Sequence, residues 1–306
     1  MNWRRLKDLL ASRITFFMTC FPIVLLFLIG FILYLKGKPL LEIKSIKDIL
    51  FSSSWHPSNM EFGLGSFILG TLWVVTIAVI IAVPLSVLTA VYISEFAPKK
   101  LKEFSKPLID LLAGISPVVY GLWGIIVVVP IIRDYMIPFF NDKFPFFPFR
   151  SENFTGFSVL AGGIVLAVMI FPIIISIVEE VMSSVPFEMR EASLALGATK
   201  WETVKYVVIR KAFPGIIAGV ILGLSRAFGE TMAVLMVSGC ALNHIPESIF
   251  DPAYPLPALI ANTYGEMMSV PLYDSAILFS AFILLIVTAI FNVIGWSILL
   301  RLERKG

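Results

Sequence analysis

The sequence predicts an all-α polytopic membrane protein with six transmembrane helices. Hydrophobic residues make up 58% of the 306 residues and charged residues only 15%, whereas soluble domains average about 25% charged residues. A membrane-spanning helix needs about 20 mostly apolar residues. Six segments meet that requirement, namely residues 15–35, 65–94, 108–132, 160–181, 216–240 and 276–300.

The chain ends and the loops carry the charges that decide orientation. The first apolar run follows a basic tail, residues 1–14, and lacks a small-residue cleavage site, so we expect a retained helix and not a signal peptide. If the N-terminus is cytoplasmic, 16 of the 24 Lys and Arg residues fall on the cytoplasmic side and 7 fall outside. Because cytoplasmic loops are enriched in Lys and Arg, we expect both termini in the cytoplasm, with a short tail at 301–306.

Two loops on the predicted outer side are long. Residues 133–159 hold phenylalanines among prolines, which is typical of the membrane interface or of a partner surface. Residues 241–275 contain five prolines and no Lys or Arg. Proline at that density predicts an irregular path and not a further spanning helix.

Residues 182–215, on the predicted cytoplasmic side, begin with the pattern of a short helix. Pro186 suits the first turn of a helix, where its missing N–H costs nothing. Glu188 then lies near the positive end of the helix dipole, and Gly197 is a natural stop. We therefore expect a helix over 186–196.

A second helix is expected directly after this one. Thr199 and Glu202 have the spacing of a capping box, and an apolar face follows at Trp201, Val204 and Val208. The pair Pro214-Gly215 is expected to end this helix before the fifth span. Such a helix–turn–helix offers a docking surface to a partner protein or lies as an amphipathic hairpin on lipid headgroups.

Arg226 and Glu230 lie inside the fifth predicted span. A charge at bilayer depth costs at least about 2.5–3.5 kcal/mol, so such residues are candidates for function. On a continuous helix the two residues, four apart, would share one face. A pair that only holds helices together is the structural alternative.

Most other site chemistry has no support in the sequence. No Gly-x-x-x-x-Gly-Lys-Ser/Thr phosphate loop occurs, so an ATP-driven machine would need its ATPase on another chain. Cys20, Cys240, His56 and His244 have no metal or redox spacing. We expect no catalytic residue, metal or cofactor, and the net charge of +3 gives no reason to expect nucleic acid.

The segment 190–199 resembles the EAA loop of ABC-importer permeases. Glu191 and Ala192 match the first two motif positions, Ser193 replaces the second alanine, and Gly197 matches the motif glycine. Arg210 stands where the family pattern usually has a proline. The resemblance identifies the predicted helix 186–196 as a candidate coupling helix.

Two further stretches are similar to phosphate-transporter permeases. Residues 226–234, Arg-Ala-Phe-Gly-Glu-Thr-Met-Ala-Val, look like their Arg-Ala-x-Gly-Glu-Thr signature, and the continuation is similar to the PstC-type subunit. Residues 114–123 also resemble that subunit, with Ser116-Pro117 where the family more often has Pro-Ser. The resemblance covers roughly residues 65–300.

The resemblance implies a type I ABC importer permease fold for residues 65–300, with the EAA loop at about 184–215. Residues 15–64 would then be a first transmembrane helix and an outer loop. The family implies a heterodimer with a PstA-type permease, a cytoplasmic ATPase dimer and an extracytoplasmic phosphate-binding protein, in the cytoplasmic membrane and in contact with its lipid. Glu191, Ala192 and Gly197 would meet the ATPase.

The chemistry of the fifth span leads to a hypothesis about the transport path. Arginine stays charged and matches phosphate bidentately, but it also matches sulfate, molybdate or phosphonate. We expect Glu230 to pair with Arg226 at rest, and substrate to compete for the guanidinium. Gly229 would let another helix approach closely. Thr231 would donate its hydroxyl to substrate or bond its own helix backbone.

Other classes of protein remain open at this point. One is an ATP-independent anion channel, and another is an intramembrane enzyme. The EAA-like helix argues against both, because neither needs a dock for an ATPase.

Overall fold

The computed structural model describes residues 3–144, 146–266 and 269–303. In that part of the chain, six helical segments are long and apolar enough to cross a membrane: Leu10–Ile43, Gly65–Phe96, Pro117–Lys143, Val159–Ser183, Lys200–Gly229 and Tyr273–Arg301. The predicted number of spans is therefore confirmed. The tail predicted at 301–306 lies largely outside the described residues.

The described part of the chain is mostly helical and contains one two-stranded sheet. In chain order the helices are α1 (Trp3–Ile43), α2 (Ile46–Phe51), α3 (Gly65–Val91), α4 (Lys99–Ala113), α5 (Pro117–Trp123), α6 (Val129–Ile131), α7 (Ile137–Lys143), α8 (Val159–Ser183), α9 (Phe187–Ala195), α10 (Lys200–Thr203), α11 (Ile209–Gly229), α12 (Met232–Val237), α13 (Leu256–Thr263) and α14 (Tyr273–Glu303). Strands β1 (Trp55–His56) and β2 (Glu61–Phe62) form an antiparallel hairpin. π-Helical turns extend α3 to Phe96 and join α5 to α6, α6 to α7, and α10 to α11.

The spans pack around α8. In the most apolar stretch of α8, 61% of the residues are buried, whereas in the most apolar stretch of α1 none is buried. Small residues let the neighbouring backbones approach, as is usual between helices in membranes. A Cβ atom on Gly163 would lie 2.4 Å from Ile77 Cγ2, so the close packing of α3 against α8 requires a glycine at this position.

The first span lies at the edge of the bundle. It packs against α14, where the rings of Tyr34 and Phe282 lie 5.7 Å apart, and its other sides are exposed. The helix is longer than the predicted 15–35. Lys36 and Lys38, expected in a loop, lie in its last turns.

The two ends of the bundle can be told apart by their connections. Because the spans alternate in direction, α4 and α9 lie at one end, which we call the α9 end. The β hairpin and the two long loops lie at the other, the hairpin end. There Trp55 contacts Phe62 and Phe67 at ring distances of 5.5 Å and Tyr273 at 6.4 Å. This aromatic cluster fixes the hairpin on the first turns of α3 and α14.

The phenylalanine-rich segment is partly helix and partly loop. The predicted loop 133–159 is wrong in its first part, because the helical segment continues to Lys143. Arg133 and Asp134 neutralise each other at 2.7 Å and do not interrupt the helix. Near the end of this helical segment, Phe140 stacks on Phe149 at 4.9 Å and contacts Phe250 at 5.7 Å, so part of this segment forms a small core between the two long loops.

The third span begins later than predicted. Residues 108–113, assigned to it from their hydropathy, belong instead to α4, and the span begins at Pro117. The chain between them leaves the helical path at Ser116 (φ −63°, ψ 139°), which precedes a proline in the first turn of α5. Proline disfavours helical geometry in the residue before it, and this explains the break.

Candidate functional site

The fifth span is a broken helix. The predicted continuous helix 216–240 is wrong, because α11 ends at Gly229 and Glu230 has extended backbone angles (φ −76°, ψ 128°). Helix α12 then begins at Met232. The Glu230 carboxylate accepts a hydrogen bond from the Ala233 N–H at 3.4 Å. A side chain that caps the next helix in this way competes with continuation of the first.

The break lies at mid-depth of the bundle. Helix α11 runs along α8, and a Cβ on Gly215 would meet Val181, one on Gly219 would meet Ile177, and one on Gly223 would meet Ile174. One further turn brings Arg226 level with the middle of α8. Helix α12 continues toward the hairpin end. There the Val237 carbonyl accepts a hydrogen bond from the Ser158 N–H at the start of α8.

Arg226 is exposed and has no carboxylate partner among the described residues. Leu222, Arg226 and Gly229 form an exposed stripe on α11 at helical spacing. In the described residues, no Asp or Glu side chain lies within ion-pair distance of the guanidinium. This arginine is therefore free of the intrachain ion pair that the sequence suggested.

Glu230 is directed into the subunit. It is half-buried and lines a small cavity with Thr71, Leu166 and Ala227, among others. The expectation that it shares a helix face with Arg226 is wrong, because the helix ends between them. The structure does not pair the two charges.

The rotation of α11 is set by contacts with α14. The Ser225 hydroxyl donates a hydrogen bond to the Asn292 side-chain oxygen, and Phe228 stacks on Phe291 at 4.5 Å. These contacts hold one side of α11 inward, and Arg226 consequently points outward. Sequence reasoning missed Asn292, although an amide in an apolar span is a recognisable signal.

Two other predicted residues lie at the break. A Cβ atom on Gly229 would meet nothing within 4 Å, so the close approach expected there does not occur within the described chain. The Thr231 hydroxyl lies 3.4 Å from the Gly229 carbonyl oxygen. Of the two expectations for Thr231, the structure shows the bond to its own backbone.

Helix α9 matches the predicted helix 186–196 closely. It runs from Phe187 to Ala195 with Pro186 as its N-cap residue, and Gly197 follows with φ +89°. Glu191, Ala192 and Gly197 are all exposed. The three positions that match the EAA motif are therefore accessible from outside the chain.

The helix after α9 begins as predicted and ends elsewhere. The capping box is present, with the Thr199 N–H donating to Glu202 Oε2 at 2.7 Å and the Glu202 N–H donating to Thr199 Oγ1 at 3.3 Å. The predicted end at Pro214-Gly215 is wrong, since α10 and α11 form one helical segment to Gly229. Proline is tolerated inside membrane helices because neighbouring helices satisfy the backbone groups that it leaves without a hydrogen bond.

The predicted apolar face of this helix is only partly buried. Val204 and Val208 are buried, whereas Trp201 remains 54% exposed.

Arg190, beside the EAA-like motif, holds α9 to the spans. Its Nη2 donates to Glu95 Oε1 at 2.7 Å and its Nε donates to Glu95 Oε2 at 3.3 Å. Nη2 also donates to the Met182 carbonyl oxygen at 2.9 Å. Sequence reasoning missed both side chains of this ion pair.

Comparison with known proteins identifies the class of this chain. Residues 82–305 match the family model for the binding-protein-dependent transport system inner membrane component. The chain belongs to this family of importer permeases.

Relatives narrow the class to the PstC-type permeases. The phosphate transport system permease protein PstC of Xylella fastidiosa is 40% identical over 273 residues, which cover 88% of this chain and 83% of the relative. The probable PstC of Methanocaldococcus jannaschii is 34% identical over 306 residues, covering 96% of each chain. The probable ABC transporter permease protein YqgH of Bacillus subtilis is 41% identical over 72% of this chain and 68% of its own.

A solved structure has the same fold. A chain of the MetNI methionine ABC transporter, in an inward-facing conformation, superimposes with a TM-score of 0.54 at 18% identity. The match covers 76% of this chain and 93% of that chain. The predicted importer-permease fold is confirmed.

Proposed function

We propose that this chain is the permease subunit of an ATP-driven importer that moves inorganic phosphate across the cytoplasmic membrane. The observation that carries the proposal is the position of Arg226. This cation lies at mid-depth of the bundle, on an exposed side of α11, and no carboxylate of the described residues pairs with it. Relatives in the same family are named as phosphate permeases.

The position of Arg226 suits an anion that passes along the subunit. A guanidinium remains charged in a site of low dielectric constant and offers a planar fork of donors that fits phosphate oxygens. Non-helical backbone at membrane depth is tolerated where it is buried in protein or lines a water-filled cavity. The break at Glu230 therefore supports an aqueous path beside Arg226.

Glu230 and Thr231 belong to the same proposed path, with a revised role for the carboxylate. Glu230 caps α12 and lies half-buried behind the break. Movement of α12 would bring its charge toward Arg226 and weaken the hold on the anion. Release of a tightly held anion needs such a competitor.

The proposed assembly has four kinds of subunit. A PstA-type permease covers the exposed stripe of α11, an ATPase dimer docks on α9, and a phosphate-binding protein delivers substrate at the hairpin end. Both termini are then cytoplasmic. The exposed Glu191, Ala192 and Gly197 support α9 as the dock, because these positions are accessible to a partner.

The anion and the energy source are tested together in proteoliposomes that contain the complete complex and its binding protein. We expect phosphate, and not sulfate, molybdate or phosphonate, to stimulate ATP hydrolysis, and labelled phosphate to accumulate only with ATP. Stimulation by sulfate alone would overturn the assignment of phosphate. Uptake without ATP would favour the channel alternative.

The role of Glu230 is tested by Glu230→Gln, which keeps an oxygen for the Ala233 N–H and removes the charge. If the charge competes for Arg226, phosphate should be released more slowly from the mutant than from the parent. Unchanged transport would leave Glu230 as a helix cap only.

A further inference from the structure

A continuous polar network joins four helices at the α9 end. Its first member is Arg190 of α9, which binds both carboxylate oxygens of Glu95 at the end of the second span. Arg190 also donates hydrogen bonds to the carbonyl oxygens of Met182 and Val185, beyond which the chain leads into α9. One side chain thus contacts α9, the second span and the end of the fourth.

The ion pair is largely shielded from solvent, although the helix that carries Arg190 is not. The side chains of Arg190 and Glu95 are 15% and 8% exposed, whereas every residue of α9 is at least partly exposed. The only other side-chain hydrogen bond of the described α9 residues to another helix joins Ser193 to Thr203 at 2.9 Å. Arg190 is therefore the main tie between α9 and the spans before it.

Further hydrogen bonds extend the network from Glu95. The Ser94 hydroxyl donates to Glu95 Oε1 at 3.2 Å and lies 3.5 Å from the Ser183 hydroxyl. Ser183 donates to Glu179 Oε1 at 2.9 Å, and Lys102 Nζ of α4 lies 2.9 Å from the same oxygen. Helices α3, α4, α8 and α9 share one set of charged and polar contacts.

We propose that Arg190 and Glu95 are positioning residues that transmit a displacement of α9 to the second and fourth spans. This inference rests on the proposed function, in which an ATPase moves α9. Separating a buried pair leaves two uncompensated charges, which is strongly unfavourable. A movement of α9 therefore carries the end of the second span with it, and reaches the transport path through α3 and α8 in addition to the covalent route through α10 and α11.

The test compares conservative variants in the complete complex reconstituted with its binding protein. Glu95→Gln and Arg190→Lys weaken the pair, and Glu95→Asp keeps its charge at a shorter reach. Glu103→Gln is the matched control, because it removes a carboxylate from the exposed Lys99–Glu103 pair (3.9 Å) at the same end of the bundle. Assembly is measured by size exclusion, and rates are expressed per assembled complex.

The measured quantity is the ATP hydrolysed per phosphate imported. We expect Glu95→Gln and Arg190→Lys to raise it about tenfold, within the range by which residues along a coupling network change coupling. The ratio for Glu95→Asp should lie between the ratios of these variants and that of the parent. The ratio for Glu103→Gln should equal that of the parent. An uncoupled ATPase with normal assembly is the supporting result, since a merely structural role would not change the ratio.

Two results would overturn the inference. One is an unchanged ratio in Glu95→Gln and Arg190→Lys, and the other is a loss of assembled complex while both rates per assembled complex stay normal. If the parent complex responds to sulfate and not to phosphate, the proposed substrate is wrong. The ratio is then measured with sulfate, so the two proposals fail separately.

Discussion

Two arginines of the subunit, Arg190 and Arg226, differ sharply in the partners that surround them. Arg190 has a bidentate carboxylate partner and two carbonyl contacts at the α9 end. Arg226 lies at mid-depth of the bundle, is exposed, and has no carboxylate partner in the described chain. A charge shielded from water needs a compensating partner. Arg190 has such partners within the fold, whereas a partner for Arg226 would have to come from outside the described chain.

This difference separates two ways in which one residue type serves a transporter. Arg190 should matter for stability and for the transmission of movement. Arg226 should matter for the anion and hardly at all for the fold. The following substitutions, in order of decreasing expected effect, test that division.

The largest effect is expected for Arg226→Ala. Loss of two charge-assisted hydrogen bonds to the anion, each worth about 1.5–3 kcal/mol, should lower phosphate uptake by at least about a hundredfold. Arg226→Lys should retain part of the uptake, because it keeps the charge but not the fork. The thermal midpoint of the complex should stay within about 1 °C, because the substitution removes no ion pair with the described residues of this chain.

Lys211→Ala is the control for Arg226→Ala, since Lys211 is another exposed cation on the same helix. Normal uptake by Arg226→Ala would contradict the path. A complex that fails to assemble would show that Arg226 serves structure, and the contrast with Arg190 would disappear.

The second effect is expected for Arg190→Ala, and it concerns stability. Removal of one partner leaves Glu95 buried and unpaired, which should cost about 3 kcal/mol and lower the thermal midpoint measured by unfolding in detergent. Glu95→Ala should cost a similar amount, and the double variant less than the sum of the two. Additive losses would mean that the two side chains do not interact.

A smaller effect is expected for Ser225→Ala, which loosens the rotation of the helix that carries Arg226. The lost bond to Asn292 is worth about 1 kcal/mol between membrane helices, so uptake should fall about fivefold at most. Ser297→Ala is the control, because within the described residues the Ser297 hydroxyl bonds the Val293 carbonyl of its own helix and no other group. Equal uptake by the two variants would show that α14 does not orient Arg226.

The smallest effect is expected for Thr199→Ala, on the covalent route between the two arginines. Loss of the cap should destabilise the first turn of α10 by about 1 kcal/mol. Hydrogen exchange should therefore become faster at the N–H groups of residues 200–203 and remain unchanged in α8. Unaltered exchange at residues 200–203 would mean that tertiary contacts, and not the capping box, hold this turn.

The sequence predicts the spans well because apolar length is what a bilayer selects. The helix at 186–196 and the capping box at Thr199 are also predicted, since proline, glycine and capping residues act locally. Hydropathy does not record where a span stops being a helix. The breaks before Pro117 and after Gly229 lie between apolar flanks, and both were missed for that reason.

For the candidate site as well, the sequence predicts local features and misses those that depend on tertiary structure. The sequence singles out Arg226 because a charge among apolar residues is visible in one dimension. It does not reveal that Arg190 binds Glu95, 95 residues earlier in the chain, because a long-range pair depends on how three helices meet. The predicted pairing of Arg226 with Glu230 fails on one local assumption, that the helix is continuous.

The turn after α9 has a consequence of a different kind. Gly197 has φ +89°, and a Cβ atom there would meet nothing within 4 Å. The position therefore excludes ordinary side chains by chirality and not by size. D-alanine would fit at this turn where L-alanine would be strained. The shape of the surface that we propose as the ATPase dock thus depends on a residue that is achiral.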